Sequence, residues 1–243
     1  GTHVAGSIAG DAGPSGWTTY NGAAPDAKIA FDDISPDGNQ LWPTNDLNTQ
    51  LLPHSYSIGA RLHSNSWGST TTHYTATSKE IDEFIYDHDD FLVLVAAGND
   101  GPDLDTVGSP ATAKNILAVG AGQNTKEAYD DINVDSTGLG MDNLVDFSSR
   151  GPTWDGRFKP DVVCPGDTIY SAWSDGEANT ADQCFVAGMS GTSMATPLCA
   201  GSAALVRQYF KEGFLAAGVR DISEGFEPSA ALVKATMIHS GQK

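Results

Sequence analysis

The stretch FLVLVAAGN, residues 91–99, indicates the fold class. Its first seven residues are all apolar, and the run ends in a Gly–Asn pair. A continuous apolar run of this length is typical of a strand that is buried on both faces of a parallel sheet. Ligands of such sheets gather beyond the carboxyl ends of the strands, which is where Asn99 would lie.

The segments on either side of this run alternate between strand and helix patterns. Strands are predicted over 27–34, 61–66 and 115–121, and helices over 1–9, 44–59, 78–88, 192–209 and 229–239. Pro53 is expected to kink or end the helix in which it lies. The alternation predicts an α/β fold of three layers, with a mainly parallel central sheet flanked by helices. No internal boundary is visible, so residues 1–243 are interpreted as one domain.

The composition excludes several classes of partner. The formal net charge is −18, and such an acidic surface repels the phosphates of nucleic acids and anionic membranes. No apolar run approaches the ~20 residues of a membrane-spanning helix. The segment is therefore predicted to bind no nucleic acid and to make no membrane contact. The acidic stretch 122–150 is interpreted as a solvated loop, because its spacing does not match an EF-hand.

The cysteines are Cys164, Cys184 and Cys199, and their spacing does not suggest a zinc site. Cys199 lies in an apolar run and is expected to be a buried, inert thiol. Cys164 and Cys184 could pair with each other if the compartment is oxidising.

The motif GTSMATP, residues 191–197, places Ser193 among small residues at the start of an apolar helix. The free N–H groups and the dipole of a helix N-terminus favour the negative charge that develops in acyl transfer. Pro197 is tolerated near the first turn of a helix. The simpler alternative is a serine that caps the helix, which is common. The length of the motif favours a nucleophile.

His3 and Asn99 are the candidate partners of Ser193. His3 lies within GTHVAG, residues 1–6, where its small neighbours give little structural reason for an imidazole. As a general base it would take the Ser193 proton and pass it to the leaving amine. Asn99, after the buried strand, could donate a hydrogen bond to the tetrahedral oxyanion. Taken alone, Asn99 is better explained by a tight turn with Gly98.

Together these motifs resemble the subtilisin-like serine peptidases, the peptidase S8 family, and so do SSRGP, residues 148–152, and KPDVVCPG, residues 159–166. HSNSWG, residues 63–68, and SPATAKN, residues 109–115, are most similar to one branch of that family. This branch contains oxidatively stable alkaline proteases of bacilli and slime-mould protease–transporter fusions. The resemblance implies a subtilisin-like fold and a serine endopeptidase, with His3 as base, Ser193 as nucleophile and Asn99 in the oxyanion hole.

The same resemblance implies how substrate and surroundings are arranged. The substrate strand would be lined by Ser66, Trp67 and Gly68, and the P1 pocket would be bordered by Ala96, Ala97 and Gly98. These small residues predict an open pocket for large apolar side chains. The implied partner is a polypeptide substrate, and the chain is expected to be a secreted or extracytoplasmic monomer. No cofactor is expected for catalysis. Structural calcium is common in the family, but its ligands remain unassigned.

One feature of the family is absent from the sequence. Its catalytic Asp stands in an Asp-Ser/Thr-Gly motif before the His, whereas this chain begins two residues before His3. Asp32 and Asp33 are not substitutes, because they follow the next predicted strand. The chain is therefore predicted to be a catalytic domain truncated at the N-terminus, with little activity by itself. Residues 232–238 match the family's last catalytic-domain helix, which suggests truncation at the C-terminus as well.

Alternative functions follow from the same residues. The missing Asp raises the possibility of a pseudo-peptidase that binds a peptide without cleaving it. The sequence around Ser193 also approximates the nucleophile elbow of an α/β-hydrolase esterase. That fold needs Ser, acid and His in this order, and His239 is the only histidine after Ser193.

Overall fold

A computed structural model describes residues 1–13, 18–35, 43, 46–174, 176, 185–215 and 217–242. The α-helices are α1 (Thr2–Ala9), α2 (Leu52–Ser57), α3 (Ala76–Asp87), α4 (Lys126–Asp131), α5 (Thr192–Lys211) and α6 (Ala230–Ser240). The strands are β1 (Leu62–Asn65), β2 (Leu92–Ala96), β3 (Leu117–Gly122), β4 (Val162–Pro165), β5 (Ile169–Trp173) and β6 (Phe185–Met189). Short 3₁₀ turns span Thr18–Tyr20 and Ile222–Glu224, and a π-helical turn spans Leu47–Leu51.

The central sheet has the order β1–β2–β3–β4, and every neighbouring pair is parallel. Alternate residues of β2 face opposite layers, as the pleat of a strand requires. Val93 and Val95 pack with residues of α3 and of the π-helical turn. Leu92 and Leu94 pack with residues of α5 and α6. The predicted three-layer α/β fold is therefore confirmed.

The cores of the predicted helices over 1–9, 78–88, 192–209 and 229–239 and of the strands over 61–66, 91–97 and 115–121 are confirmed. The helix predicted over 44–59 is a π-helical turn followed by α2, and residues 44 and 45 lie outside the described part. Pro53 stands at the N-terminal end of α2. Proline fits that position because the N–H groups of a first helical turn have no partner within the helix.

The prediction of a strand over 27–34 is wrong. These residues are outside regular secondary structure, because no described strand pairs with them. A cavity of about 360 Å³ separates this segment from β1. Its walls include Val4 and Ile8 of α1, Phe31, and Ala200 and Ala204 of α5. The extended segment therefore lies beside an apolar groove rather than in the sheet.

Other elements were not predicted. The edge strand β4 and the antiparallel pair β5–β6 lie between the oxyanion segment and the nucleophile motif. Within the stretch predicted to be a loop, residues 122–150, the short helix α4 forms, and Tyr129 on it is fully buried.

The cysteine prediction needs a correction. Cys199 is fully buried, but it forms a disulfide with Cys164, and their Cα atoms are 6.0 Å apart. The bond joins β4 to α5, which the packing of α5 on the sheet brings together. A pair between Cys164 and Cys184, which the sequence left open, is excluded because Cys164 is bonded to Cys199; Cys184 itself lies outside the described residues.

Candidate active site

Ser193 is the second residue of α5, which begins at Thr192 and has Gly191 as its N-cap. It is half-buried, and its Oγ donates a hydrogen bond to the main-chain oxygen of Ser66 at 3.2 Å. The Ser66 Oγ in turn donates to the main-chain oxygen of Ser193 at 2.9 Å. This reciprocal pair fixes the start of α5 against the carboxyl end of β1.

Asn99 lies next to the same helix start. Its Oδ1 accepts hydrogen bonds from Thr192 N at 2.9 Å and from Thr192 Oγ1 at 3.0 Å. Since both donors face Oδ1, the amide Nδ2 points away from Thr192 and remains a donor. A Cβ atom added to Gly191 would lie 3.8 Å from that Nδ2. Gly191 therefore lies within van der Waals contact of the Asn99 amide.

His3 is buried, with 7% of its surface exposed, and lies against the β5–β6 pair. Its Nε2 is 3.0 Å from the main-chain oxygens of both Ile169 and Ala187. The Nδ1 atom is buried and has no hydrogen-bond partner among the described residues. Nε2 must carry the proton to donate to a carbonyl, so Nδ1 is an unpartnered acceptor in the neutral ring.

This orientation differs from the one a general base needs. A base for Ser193 presents an unprotonated Nε2 to Oγ while Nδ1–H is held by an acceptor. In the structure, the described contacts of Ser193 Oγ and of His3 Nε2 go to main-chain oxygens instead. The structure therefore brings Ser193 and Asn99 together with Thr192 between them, but it does not join His3 to Ser193 by a hydrogen bond.

The predicted substrate-binding residues lie at the ends of neighbouring strands. Ser66, Trp67 and Gly68 follow β1, while Ala96 ends β2, and Ala97 and Gly98 follow it; the two strands are paired in parallel. The indole of Trp67 donates to Asn65 Oδ1 at 3.0 Å. The two groups therefore lie side by side at the carboxyl edge of the sheet, and Ser66 contacts Ser193 directly.

Gly98 is required at its position. Its φ of +115° is rarely adopted by residues with a side chain, and a Cβ there would lie 2.7 Å from Ser149 Oγ. The Ser149 Oγ also accepts from Asp100 N at 3.1 Å. The turn that presents Asn99 is thus fixed on both sides by the SSRGP segment.

A group of residues centred on Asp167 lies beside the site and was not predicted from the sequence. Asp167 accepts hydrogen bonds from Tyr129 and from Ser190, which stands three residues before Ser193. Burial, with Asp167 beside it, raises the pKa of Tyr129 to about 12. Asp167 directly follows the KPDVVCPG motif, and Ser190 directly precedes the GTSMATP motif. These positions were the only feature of the sequence that could have pointed to the two residues. Tyr129 gave none, because it lies in a stretch interpreted as a loop.

Two ionisable side chains, Asp32 and His63, also line the cavity beside β1. Asp32 accepts from Ser55 Oγ at 2.8 Å, and His63 Nε2 is 4.0 Å from its carboxylate. Burial lowers the pKa of His63, so the ring is neutral at physiological pH. Within the described ranges, no group of three or more His, Cys, Asp or Glu side chains could hold a metal ion. Structural calcium, which is common in the family that the sequence resembles, therefore has no ligands assigned to it.

A three-layer fold with a parallel central sheet, a serine at a helix start and an adjacent amide is typical of a serine hydrolase. The sequence model of the subtilase family matches residues 1–243, so the chain belongs to that family. The esterase alternative is therefore wrong, since the α/β-hydrolase order of residues belongs to another fold.

Curated relatives carry names that agree with this family. The chain is 35% identical over 320 residues to the Dictyostelium discoideum serine protease/ABC transporter B family protein tagD, covering 100% of this chain and 17% of that protein. It is 42% identical over 125 residues to the serine protease AprX of Bacillus subtilis, covering 48% of this chain and 26% of that protein. The chain thus spans only a minor part of these relatives.

Solved structures share the fold. The patellamide maturation protease PatA superimposes with a TM-score of 0.67 at 24% identity, covering 98% of this chain and 70% of that one. Sphericase superimposes with a TM-score of 0.66 at 23% identity, covering 96% of this chain and 66% of that one.

Proposed function

We propose that this chain is the catalytic part of a serine endopeptidase that cleaves polypeptides through an acyl-enzyme on Ser193. The observation that carries the proposal is the start of α5, where Thr192 holds Asn99 and Ser66 holds Ser193. Nucleophile and oxyanion donor thereby face the same space at the carboxyl edge of the sheet.

The reaction follows from these positions. Ser193 Oγ attacks the scissile carbonyl while His3 takes its proton, and the oxyanion accepts hydrogen bonds from Ser193 N and Asn99 Nδ2. His3 then gives the proton to the leaving amine, and water hydrolyses the acyl-enzyme. The peptide lies between Ser66–Gly68 and Ala96–Gly98, with a large apolar P1 side chain beyond Gly98. A P1 library profile that favours Asp or Gly would contradict this pocket assignment.

His3 needs a partner for its role as base. We propose that a carboxylate on a segment preceding residue 1 accepts the hydrogen bond of Nδ1–H, and that this segment fills the apolar groove beside β1. The buried, unpartnered Nδ1 and the 360 Å³ cavity support this arrangement. An acceptor at Nδ1 would reverse the tautomer, free Nε2 from the carbonyls and turn the ring toward Ser193.

Fluorophosphonate labelling tests the proposed function and the proposed partner together. The full-length protein should be labelled at Ser193, its Ser193→Ala variant should not, and residues 1–243 alone should react far more slowly. Equal labelling of the short chain and the full-length protein would refute the role of the preceding segment. The second candidate is a pseudo-peptidase that binds a peptide without cleaving it, which the orientation of His3 favours. A full-length protein that is not labelled would support the pseudo-peptidase instead of the peptidase.

The setting of the enzyme is proposed on separate grounds. The Cys164–Cys199 disulfide is typical of proteins that fold in an oxidising compartment, which supports a secreted or extracytoplasmic location. No helix in the described part of the chain is long and apolar enough to cross a membrane. We further propose that the protein acts as a monomer, and the elution volume of the purified protein in size-exclusion chromatography tests this.

A further inference from the structure

The loop that leads into the nucleophile motif is held by a network centred on Asp167. This Asp167 network consists of Tyr129, Asp167, Thr168 and Ser190. It joins the short helix α4 to Ser190, the residue directly before Gly191. The proposed mechanism uses none of these side chains, although Ser190 stands only three residues before Ser193 in the chain.

The network has a buried anchor. Tyr129 is fully buried, and its OH donates to Asp167 Oδ2 at 2.7 Å while accepting from Asn124 N at 3.1 Å. Asn124 Nδ2 also donates to the main-chain oxygen of Asp167 at 2.6 Å. Hydrogen bonds to a carboxylate are stronger than those between neutral groups. The buried Tyr129 hydroxyl therefore fixes the Oδ2 side of the Asp167 carboxylate.

The other carboxylate oxygen holds the loop. Asp167 Oδ1 accepts from Ser190 Oγ at 2.9 Å, and that same Oγ accepts from Thr168 N at 2.8 Å. Gly191, the residue after Ser190, is held to the same segment by a main-chain hydrogen bond, in which Gly191 N donates to Gly166 O at 2.8 Å. Ser190 is exposed, so the core does not hold its side chain in place.

We propose that Tyr129 and Asp167 are positioning residues for the nucleophile, acting through Ser190 and Gly191 on the backbone of Ser193. The inference rests on the proposed peptidase function. Neither residue borders the substrate strand or the P1 pocket, which are built from the ends of β1 and β2. Loss of the network should therefore lower kcat with little change in KM, because misplacement of a nucleophile affects the reacting geometry more than binding.

The test compares Tyr129→Phe with Tyr56→Phe in the full-length protein. Tyr56 also donates to a carboxylate, Asp90 at 3.0 Å, but it lies at the opposite end of the sheet from Ser193. Both variants remove one hydroxyl and keep the ring. We expect Tyr129→Phe to lower kcat on a peptide substrate about tenfold with KM within about twofold. Tyr56→Phe should leave both constants at the wild-type values, even where it lowers the melting temperature.

Further variants separate positioning from stability. Ser190→Ala should reproduce the kcat loss, and the double variant should lose no more than the larger single loss, because both changes break one chain of contacts. Asp167→Asn keeps one acceptor oxygen and should retain more activity than Asp167→Ala. Since Ser190 is exposed, its variant remains informative if Tyr129→Phe does not fold.

The outcomes distinguish the two proposals. An unlabelled wild-type protein overturns the peptidase function and the positioning role with it. A labelled wild-type protein whose Tyr129→Phe and Ser190→Ala variants keep the wild-type kcat overturns only the positioning role. Equal kcat losses in Tyr56→Phe and Tyr129→Phe would also overturn it, because they would show a general effect of stability.

Discussion

Thr192 links the two groups at the centre of the proposed chemistry. Its N–H and its hydroxyl both donate to Asn99 Oδ1, which fixes the amide rotamer through two contacts. The next residue in the chain is Ser193 itself. A side chain that stabilises an oxyanion must be held before the charge forms, and Thr192 supplies that preorganisation.

Replacing Asn99 by Ala should remove one of the two oxyanion donors. We expect kcat of the full-length protein to fall by about 10²–10³ with KM little changed, which is the known cost of losing such a donor in a subtilisin. Steady-state kinetics on a peptide substrate measure this. Asn143→Ala is the control, because the exposed Asn143 side chain donates to Gln123 Oε1 and Gly138 O, away from Ser193. Equal losses in the two variants would contradict the assignment of Asn99.

The turn at Gly98 gives a second prediction at the residue scale. Gly98→Ala should lower the free energy of unfolding by about 2–3 kcal/mol, since it adds a contact with Ser149 to the strain of a positive φ. Gly59→Ala is the matched control, because Gly59 has a φ of +100° and no atom within 4 Å of the added Cβ. Urea unfolding of both variants measures the difference. Equal destabilisation would show that the close approach to Ser149 has no energetic effect.

The candidate site could be predicted from sequence where a motif fixes the local backbone. Ser193 and Asn99 meet because a helix start and a strand end both lie at the carboxyl edge of a parallel sheet. The orientation of His3 could not be predicted, because its ring is directed by long-range contacts with Ile169 and Ala187. Asp167 was missed for the same reason, as its partners come from residues 129 and 190.

At the scale of elements, hydrophobic periodicity predicted the buried helices and the central strands. Periodicity failed where the pairing of a segment with a neighbouring strand decides whether it forms a strand. The segment 27–34 has a strand-like pattern but no neighbour, while β4 alternates between exposed and half-buried residues at the sheet edge and gives a weak signal. The pairing of Cys164 with Cys199 depends on how α5 packs on the sheet, which the spacing of cysteines does not reveal.

The disulfide between β4 and α5 should stabilise the protein. It closes a loop of 35 residues, and cross-links of this length typically contribute about 2–4 kcal/mol to the free energy of unfolding. Urea unfolding with and without dithiothreitol should show a lower midpoint after reduction. The variant carrying both Cys164→Ala and Cys199→Ala retains Cys184 and should not respond to the reductant. A wild-type midpoint unaffected by complete reduction would contradict the prediction.

At the scale of the whole molecule, the chain has a net charge of −18, yet Lys159 buries a positive charge. Lys159 and Lys234 both approach the carboxylate of Asp161, at 2.6 Å and 3.6 Å, and Asp161 also accepts from Ala118 N at 2.7 Å. The cluster therefore ties β3, the residues before β4 and α6 together. It lies at the amino ends of these strands, on the opposite edge of the sheet from Ser193.

Lys159 should make the stability of the whole fold depend on pH. Burial, which outweighs the attraction of Asp161, lowers its pKa to about 8, so the folded protein releases the proton before the unfolded chain does. Between pH 8 and 10 the unfolded state binds more protons, and stability must rise with pH. Below pH 8 the full cost of burying the charge is present. We expect wild type to gain roughly 2–3 kcal/mol relative to Lys159→Met by pH 10.

Urea unfolding of wild type and Lys159→Met at pH 7 to 10 measures this difference, and Lys126→Met, at an exposed position of α4, is the control. The comparison between variants is needed because burial raises the pKa values of Tyr74 and Tyr129 to about 12. Those hydroxyls stay protonated in the folded state when the unfolded chain loses the protons, so they lower stability above about pH 10 in every variant. A difference between wild type and Lys159→Met that does not rise from pH 8 to 10 would show that the pKa of Lys159 is not lowered, and that its ion pair with Asp161 offsets both the cost of burial and the repulsion of Lys234.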